Sequence, residues 1–293
     1  MARKADPIVQ QGARLGEGSL WHPQTERLFW VDIIGQTVFI FDPKSGENRG
    51  INVGTDVGTI VSRKSGGVML GVKGGFASLD LETEAIEEIA MVEIDLPNNR
   101  FNDGKCDPAG RFWAGSMAYD FAKGAGSLYC MDRDLSVRKV LSNVSISNGL
   151  VWTADQATFY YIDSLAFQIA AFDYDVTTGE IANRRAVVEL PEDVGFLDGM
   201  SIDANGNLWV AIYRAGQVRC WDPATGDLLD TVEAPGAKLI TSCAFGGPNL
   251  NELYITSASN GLAEQDKEEQ PLAGSLFRAE LDVAGVPAFE FAG

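Results

Sequence analysis

The sequence predicts an all-β chain, a six-bladed β-propeller of four-stranded blades. Three observations carry that expectation. Short apolar runs separated by glycine, asparagine and proline turns recur along the whole chain. The runs group into units whose starts lie about 40 to 50 residues apart, the spacing of propeller blades. The third run of all six units ends in an acid: Asp42, Asp80, Asp132, Asp173, Asp222 and Glu280.

In order, the first unit opens at Glu17-Gly18-Ser19-Leu20-Trp21, continues through Leu28–Asp32 and closes with Val38–Asp42. The second opens at Val57-Gly58, runs through Val68–Gly71 and closes with Phe76–Asp80. The third opens at Asp103-Gly104, runs through Phe112–Ala114 and closes with Ser127–Asp132. The fourth opens at Asn148-Gly149, runs through Phe159–Ile162 and closes with Ile169–Asp173. The fifth opens at Asp198-Gly199, turns at Asn205-Gly206, runs through Leu208–Ala211 and closes with Val218–Asp222. The sixth opens near Thr241, runs through Leu253–Thr256 and closes with Ser275–Glu280. Each unit leaves room for an outer fourth strand, such as Lys139–Leu141 or Arg185–Glu189. Four strands in each of six units make a closed ring. Its ends, Ile8-Val9 and Val286–Phe291, are expected to join one blade, so that neither leaves an open sheet edge.

Composition bounds the class. The 293 residues are 45% hydrophobic and 22% charged, with no linker, so 1–293 reads as one domain. A formal net charge of −18 repels nucleic acid and anionic lipid and favours cations, although solubility alone also accounts for it. The expected partner is a small molecule, on a monomer or weak oligomer. Cys106, Cys130, Cys220 and Cys243 form no CxxC pair and read as buried, reduced core residues of a cytoplasmic protein. The first residues carry no apolar signal-type run, and no apolar stretch reaches the roughly 18 residues that span a bilayer.

The chemistry is expected where the repeat converges. The position before each opening glycine holds Glu17, Val57, Asp103, Asn148 and Asp198, with Ile240 or Thr241 in the sixth unit. A propeller brings one repeat position to one height around its axis. Carboxylates gathered there need neutralising, and with an amide oxygen they make a cage for a divalent cation. The competing reading is that Asx-Gly pairs only cap turns. Oxygen-only donors suit Ca²⁺, with Mg²⁺ or Mn²⁺ next and Zn²⁺ less well. Asn98–Lys105 leads into Asp103 and is expected at the same mouth. Arg100 and Asn102 are there as substrate binders, or Arg100 as a solvated loop residue. His22 reads as structural, and Trp30, Trp113, Trp152 and Trp209 as core between blades.

Four motifs, Gly16–Trp21, Arg100–Lys105, Ser147–Leu150 and Leu197–Met200, together with Ala273–Phe277, resemble the regucalcin/senescence-marker-protein/gluconolactonase family. The resemblance covers nearly the whole chain. It implies a six-bladed propeller with one divalent metal in the channel, held by Glu17, Asn148 and Asp198. It implies that Arg100 and Asn102 hold a sugar lactone such as gluconolactone. Asp120 falls where animal members place a substrate-binding glutamate, with Tyr119 in place of the preceding glutamate. The implied activity is a metal-dependent lactonase with Asp198 as general base and Asp103 as its rival. The alternatives are phosphotriester hydrolysis at the same metal and a non-catalytic metal- or sugar-binding propeller.

Overall fold

β-Branched and aromatic residues alternating with turn residues fold here into six sheets built on antiparallel runs of consecutive strands, arranged as a propeller. The computed structural model describes residues 3–293. Blades are numbered by their innermost strands: Gly16–His22, Val57–Ser62, Asn99–Cys106, Ser147–Trp152, Phe196–Ile202 and Ile240–Gly246. In blade 1 the later strands are Arg27–Asp32, Thr37–Phe41 and Asn48–Asn52, and blades 2 to 5 repeat that order. Innermost strands are almost wholly buried, whereas an outermost strand such as Glu180–Glu189 is mostly exposed. Helix is confined to the short turn Ser164–Ala166 and to Glu264–Glu269 among the described residues. No helix among them is long and apolar enough to cross a membrane.

Six apolar clusters hold the ring, one at each junction between neighbouring blades. The tryptophans sit there as the sequence predicts. Trp113 of blade 3 meets Trp152 of blade 4 edge-on at 5.7 Å, and Trp209 of blade 5 meets Phe245 of blade 6 at 5.9 Å. Such edge-to-face pairs add to the area they bury. All four cysteines are buried and unpaired in these layers. Three of the recurring acids at the ends of the third strands are turn devices. The carboxylates of Asp42, Asp80 and Asp222 accept the backbone N–H two residues on, at 2.8, 2.9 and 2.8 Å. Asp132 and Asp173 instead accept from Arg111 and Arg185.

Ring closure differs from the expectation at one end. Asp6–Val9 pairs antiparallel with Leu276–Glu280, so the N-terminal segment supplies the outer strand of blade 6. Arg3–Lys4 adds a parallel fifth strand to blade 5. The segment 286–291 joins no blade. It crosses the ring, with Val286 N donating to Ile202 O, Phe291 N to Ser62 O and Ala292 N to Gly110 O. Phe291 is fully buried among Val61, Met69, Phe76 and Phe112. The reason is geometric: blade 6 already has its fourth strand, so a second terminal segment has no edge to take and buries its aromatics against the ring instead.

Candidate metal and substrate site

The six converging positions share one backbone device. In every blade the innermost strand advances one residue more than its neighbour at this point: Glu17 opposes Val31 but Leu20 opposes Phe29, and Leu197 opposes Ile212 but Met200 opposes Val210. The same one-residue bulge occurs in the other four blades. A bulge re-aims the side chains beside it, which is how a carboxylate leaves the sheet plane for the channel. The following glycine lets adjacent innermost strands close up. A Cβ on Gly58 would lie 2.4 Å from Phe101 O and Asn102 O of blade 3, and one on Gly149 2.7 Å from Asp198 O of blade 5. The Asx-Gly pair is therefore an inter-blade contact as well as a turn signal.

At one end of the channel lies a cavity of about 480 Å³ lined by Glu17, Arg100, Asn102, Asn148 and Asp198, with walls that include Leu15, Tyr119, Phe121, Leu165, Phe196 and Tyr213. Its five polar floor residues are 3–8% exposed. Arg100 is not a loop residue but part of the strand Asn99–Cys106. Its Nη1 donates to Phe101 O (3.0 Å) and to Asn102 Oδ1 (2.6 Å). Asn102 Nδ2 donates to Ser147 O (2.8 Å) and to Asn148 Oδ1 (3.0 Å). Asn148 Nδ2 donates to Ser164 Oγ (2.8 Å), which itself donates to Leu197 O (2.6 Å). This chain crosses from blade 3 to blade 5 and fixes the Asn148 amide, keeping its oxygen on the Asn102 side with one lone pair free.

The carboxylates are left exposed to each other's fields. Burial, and then the charge of Asp103, pushes Glu17 up to about 8. Burial, Glu17 and Asp103 push Asp198 well above the usual carboxylate range, while Arg100 pulls it down. Asp103 is raised by burial and lowered by Lys105. Asp198 Oδ1 and Asp103 Oδ2 are buried with no hydrogen-bond partner. A buried, unpartnered carboxylate oxygen is expensive unless a cation meets it. Glu17 and Asp198 carboxylates with the Asn148 oxygen are hard donors, and they fit a hard divalent cation. No three His, Cys, Asp or Glu side chains meet as a metal cage among the described residues, so the candidate centre is two carboxylates and an amide.

The sequence-derived residues separate into two compartments. Glu17, Arg100, Asn102, Asn148 and Asp198 share the mouth cavity. Asp103 does not lie there. With Lys105, Ser19, Ser201, Ser242 and Trp152 it lines an inner chamber of about 80 Å³, roofed by Val286–Phe289. Two bulge residues of one strand thus face different ends of the channel. Asp120 lies on the exposed rim, where its Oδ1 accepts from Ala122 N (3.2 Å), and the cavity is lined by its neighbours Tyr119 and Phe121. The strand ends at Ala118 and the chain turns, with Phe121 N donating to Ala118 O (3.0 Å), so Asp120 sits at the exposed tip of that turn while its neighbours line the cavity. His22 accepts from Thr25 within its own turn, at 3.0 Å from Oγ1. Ser164, Tyr213 and the pair Tyr119–Asp56 (2.6 Å) escaped the sequence reading. The repeat position does not contain them, because they sit on the connecting segments and strand ends around the mouth.

Comparison with known proteins agrees with this architecture. Residues 15–259 match the SMP-30/Gluconolactonase/LRE-like region. Regucalcin of Xenopus laevis is 43% identical over 296 residues, covering 99% of each chain. A luciferin-regenerating enzyme superposes with a TM-score of 0.92 at 34% identity, over 99% of each chain. The calcium-binding protein regucalcin of Agrobacterium tumefaciens superposes with a TM-score of 0.95 at 25% identity, over 100% of this chain and 99% of that one. The chain belongs to the SMP-30/gluconolactonase/LRE-like family.

Proposed function

We propose that this member of the SMP-30/gluconolactonase/LRE-like family is a metal-dependent lactonase acting at the channel mouth, with sugar lactones such as gluconolactone as the first substrates to test. One observation carries the reading. The buried, unpartnered Asp198 Oδ1 shares the floor of an open cavity with Glu17 and with the Arg100 guanidinium. Glu17, Asn148 and Asp198 would hold the cation. Oxygen donors and the name of the Agrobacterium relative both favour Ca²⁺. When bound, the cation supplies Lewis-acid polarisation of the lactone carbonyl and stabilises charge on its oxygen.

The chain's own residues do the rest. Arg100 is anchored through Nη1 and keeps its remaining N–H groups for the lactone oxygens. Asn102 and Ser164 hold the Asn148 amide in one orientation. Asp198 takes a proton from the attacking water through its free oxygen and returns it to the departing ring alkoxide. The aromatic and aliphatic walls restrict bulk water around that transfer.

The test is a pH-stat assay with gluconolactone, δ-valerolactone and a phosphotriester on protein stripped with EDTA and reloaded with Ca²⁺, Zn²⁺ or Mn²⁺. Lactone opening that is lost on chelation and restored by a cation is expected. Turnover of the phosphotriester alone would assign the metal to that chemistry. Cation binding without turnover would make the protein a binding propeller.

A further inference from the structure

The mouth cavity has a polar floor and apolar walls, and several of its polar groups are already engaged with one another. Its volume, about 480 Å³, falls in the range of about 300–1,000 Å³ that takes a drug-sized ligand. Leu15, Ile34, Met117, Phe121, Leu165 and Phe196 form much of the wall.

A polyhydroxylated ring needs a partner for each hydroxyl it takes out of water. Asn102 spends both amide hydrogens on Ser147 O and Asn148 Oδ1, and its oxygen accepts from Arg100. Ser164 donates to Leu197 O and accepts from Asn148. Tyr119 donates its hydroxyl to Asp56 Oδ2 at 2.6 Å, and Gln36 Nε2 fixes the other Asp56 oxygen at 3.1 Å. The Arg214 guanidinium lies over the Phe196 ring, 5.3 Å from its centroid. What remains for substrate is the rest of Arg100, the Arg214 N–H groups, the Tyr213 hydroxyl, Asn260 and the free oxygen of Asp198. A buried hydroxyl left without a partner costs about 1–3 kcal/mol. Apolar surface placed against these walls gains about 25 cal/mol per Å² instead.

Phe121 strengthens the contrast. It is 60% exposed, and its backbone is left-handed at φ 59°. Neither burial in the fold nor backbone preference asks for a phenylalanine there, since a bulky residue in that region is an outlier. A ring on the mouth wall has use for a ligand.

We infer that this site takes a lactone carrying an apolar side arm, with the ring on the Arg100–Asp198 floor and the arm along Phe121, Leu165 and Phe196. The inference rests on the lactonase reading and names its substrate class. The reaction is the same hydrolysis: water adds to the carbonyl, the ring C–O bond breaks, and a hydroxy acid leaves.

The test compares kcat/KM of the Ca²⁺-loaded protein for δ-decalactone, δ-valerolactone and gluconolactone. The first two share ring and leaving-group chemistry and differ by a pentyl arm. The expected order places δ-decalactone at least tenfold above δ-valerolactone and gluconolactone lowest. Phe121→Ser, a change at an exposed residue, should lower the δ-decalactone to δ-valerolactone ratio at least fivefold. Gluconolactone as the best substrate, or a ratio that Phe121→Ser leaves unchanged, overturns the inference. If no lactone is opened, the lactonase reading has failed. Calorimetric binding of δ-decalactone against gluconolactone then still decides the walls: tighter δ-decalactone supports the apolar preference, and equal or tighter gluconolactone overturns it.

Discussion

The two ends of the channel are built from the same strands and are chemically opposite. The mouth is open, and its buried carboxylates, Glu17 and Asp198, face a guanidinium and an amide that a ligand can reach. The inner chamber is small and roofed by Val286–Phe289, and its carboxylate, Asp103, has Lys105 as neighbour. Lys105 Nζ is itself tied to Met200 O at 2.7 Å. The difference teaches that a shared repeat position does not mean a shared role. Each acid keeps one oxygen without a hydrogen-bond partner, but Asp103 does so beside Lys105 in a chamber of about 80 Å³, and Asp198 beside Arg100 in a cavity of about 480 Å³ that has room for a ligand.

Exchanging the two acids for amides strains that contrast most. Asp198→Asn should lower kcat for lactone opening by about 10²–10⁴-fold, the usual weight of a general base. Asp103→Asn should stay within about tenfold of the parent on the same scale. Rates are read on protein whose metal content has been measured. Equal losses with metal retained would erase the distinction between the two ends.

The roof can be loosened without touching the mouth. Phe291→Ala removes a fully buried ring from the junction of blades 2 and 3 and should cost about 3–5 kcal/mol in denaturant unfolding. Phe291 lines neither the mouth nor the chamber. At a temperature where the variant is folded, its kcat/KM should match the parent within about twofold, well under the tenfold that 1.4 kcal/mol represents. A large loss of activity at full folding would show that the two ends communicate.

The third effect is on the stability of the metal-free protein. Glu17 is raised from the ordinary 4.5 to about 8 in the folded chain. Between those values the native state holds more protons than the unfolded one, so stability falls as pH rises. In EDTA, Tm should drop steadily from pH 5 to pH 8. Saturating Ca²⁺ should flatten the drop, because the cation binds the ionised site. A Tm in EDTA that is level or rises over that range would contradict an uncompensated carboxylate at the mouth.

Most of the architecture was legible in the chain because a repeat declares itself. Trp113 and Trp209, the acids that close the third strands and the Asx-Gly pairs each recur at blade spacing, and a closed ring is what such a spacing can bury. The candidate site was legible as far as it lies on or beside that repeat: Glu17, Asn148 and Asp198 meet at the mouth, and Arg100 and Asn102 join them from the innermost strand of blade 3. Asp103 and Asp120 show the limit. Asp103 was placed by the repeat position itself, and Asp120 by its match to a family motif. A bulge turns Asp103 toward the inner chamber, and the turn after Ala118 leaves Asp120 on the rim.

The sequence by itself determined the all-β class, the number of blades and the ring of acids and amides before a glycine. These are periodic features, and period survives without coordinates. The tertiary structure alone decided which end of the channel each acid faces, where Val286–Phe291 runs, and which walls rise around the floor. Those depend on bulge geometry and on connecting segments that touch only after the ring has closed. Side-chain direction at a bulge is set by the neighbouring blade's backbone, at separations of about 45 residues along the chain, and not by the residue's own neighbours in sequence.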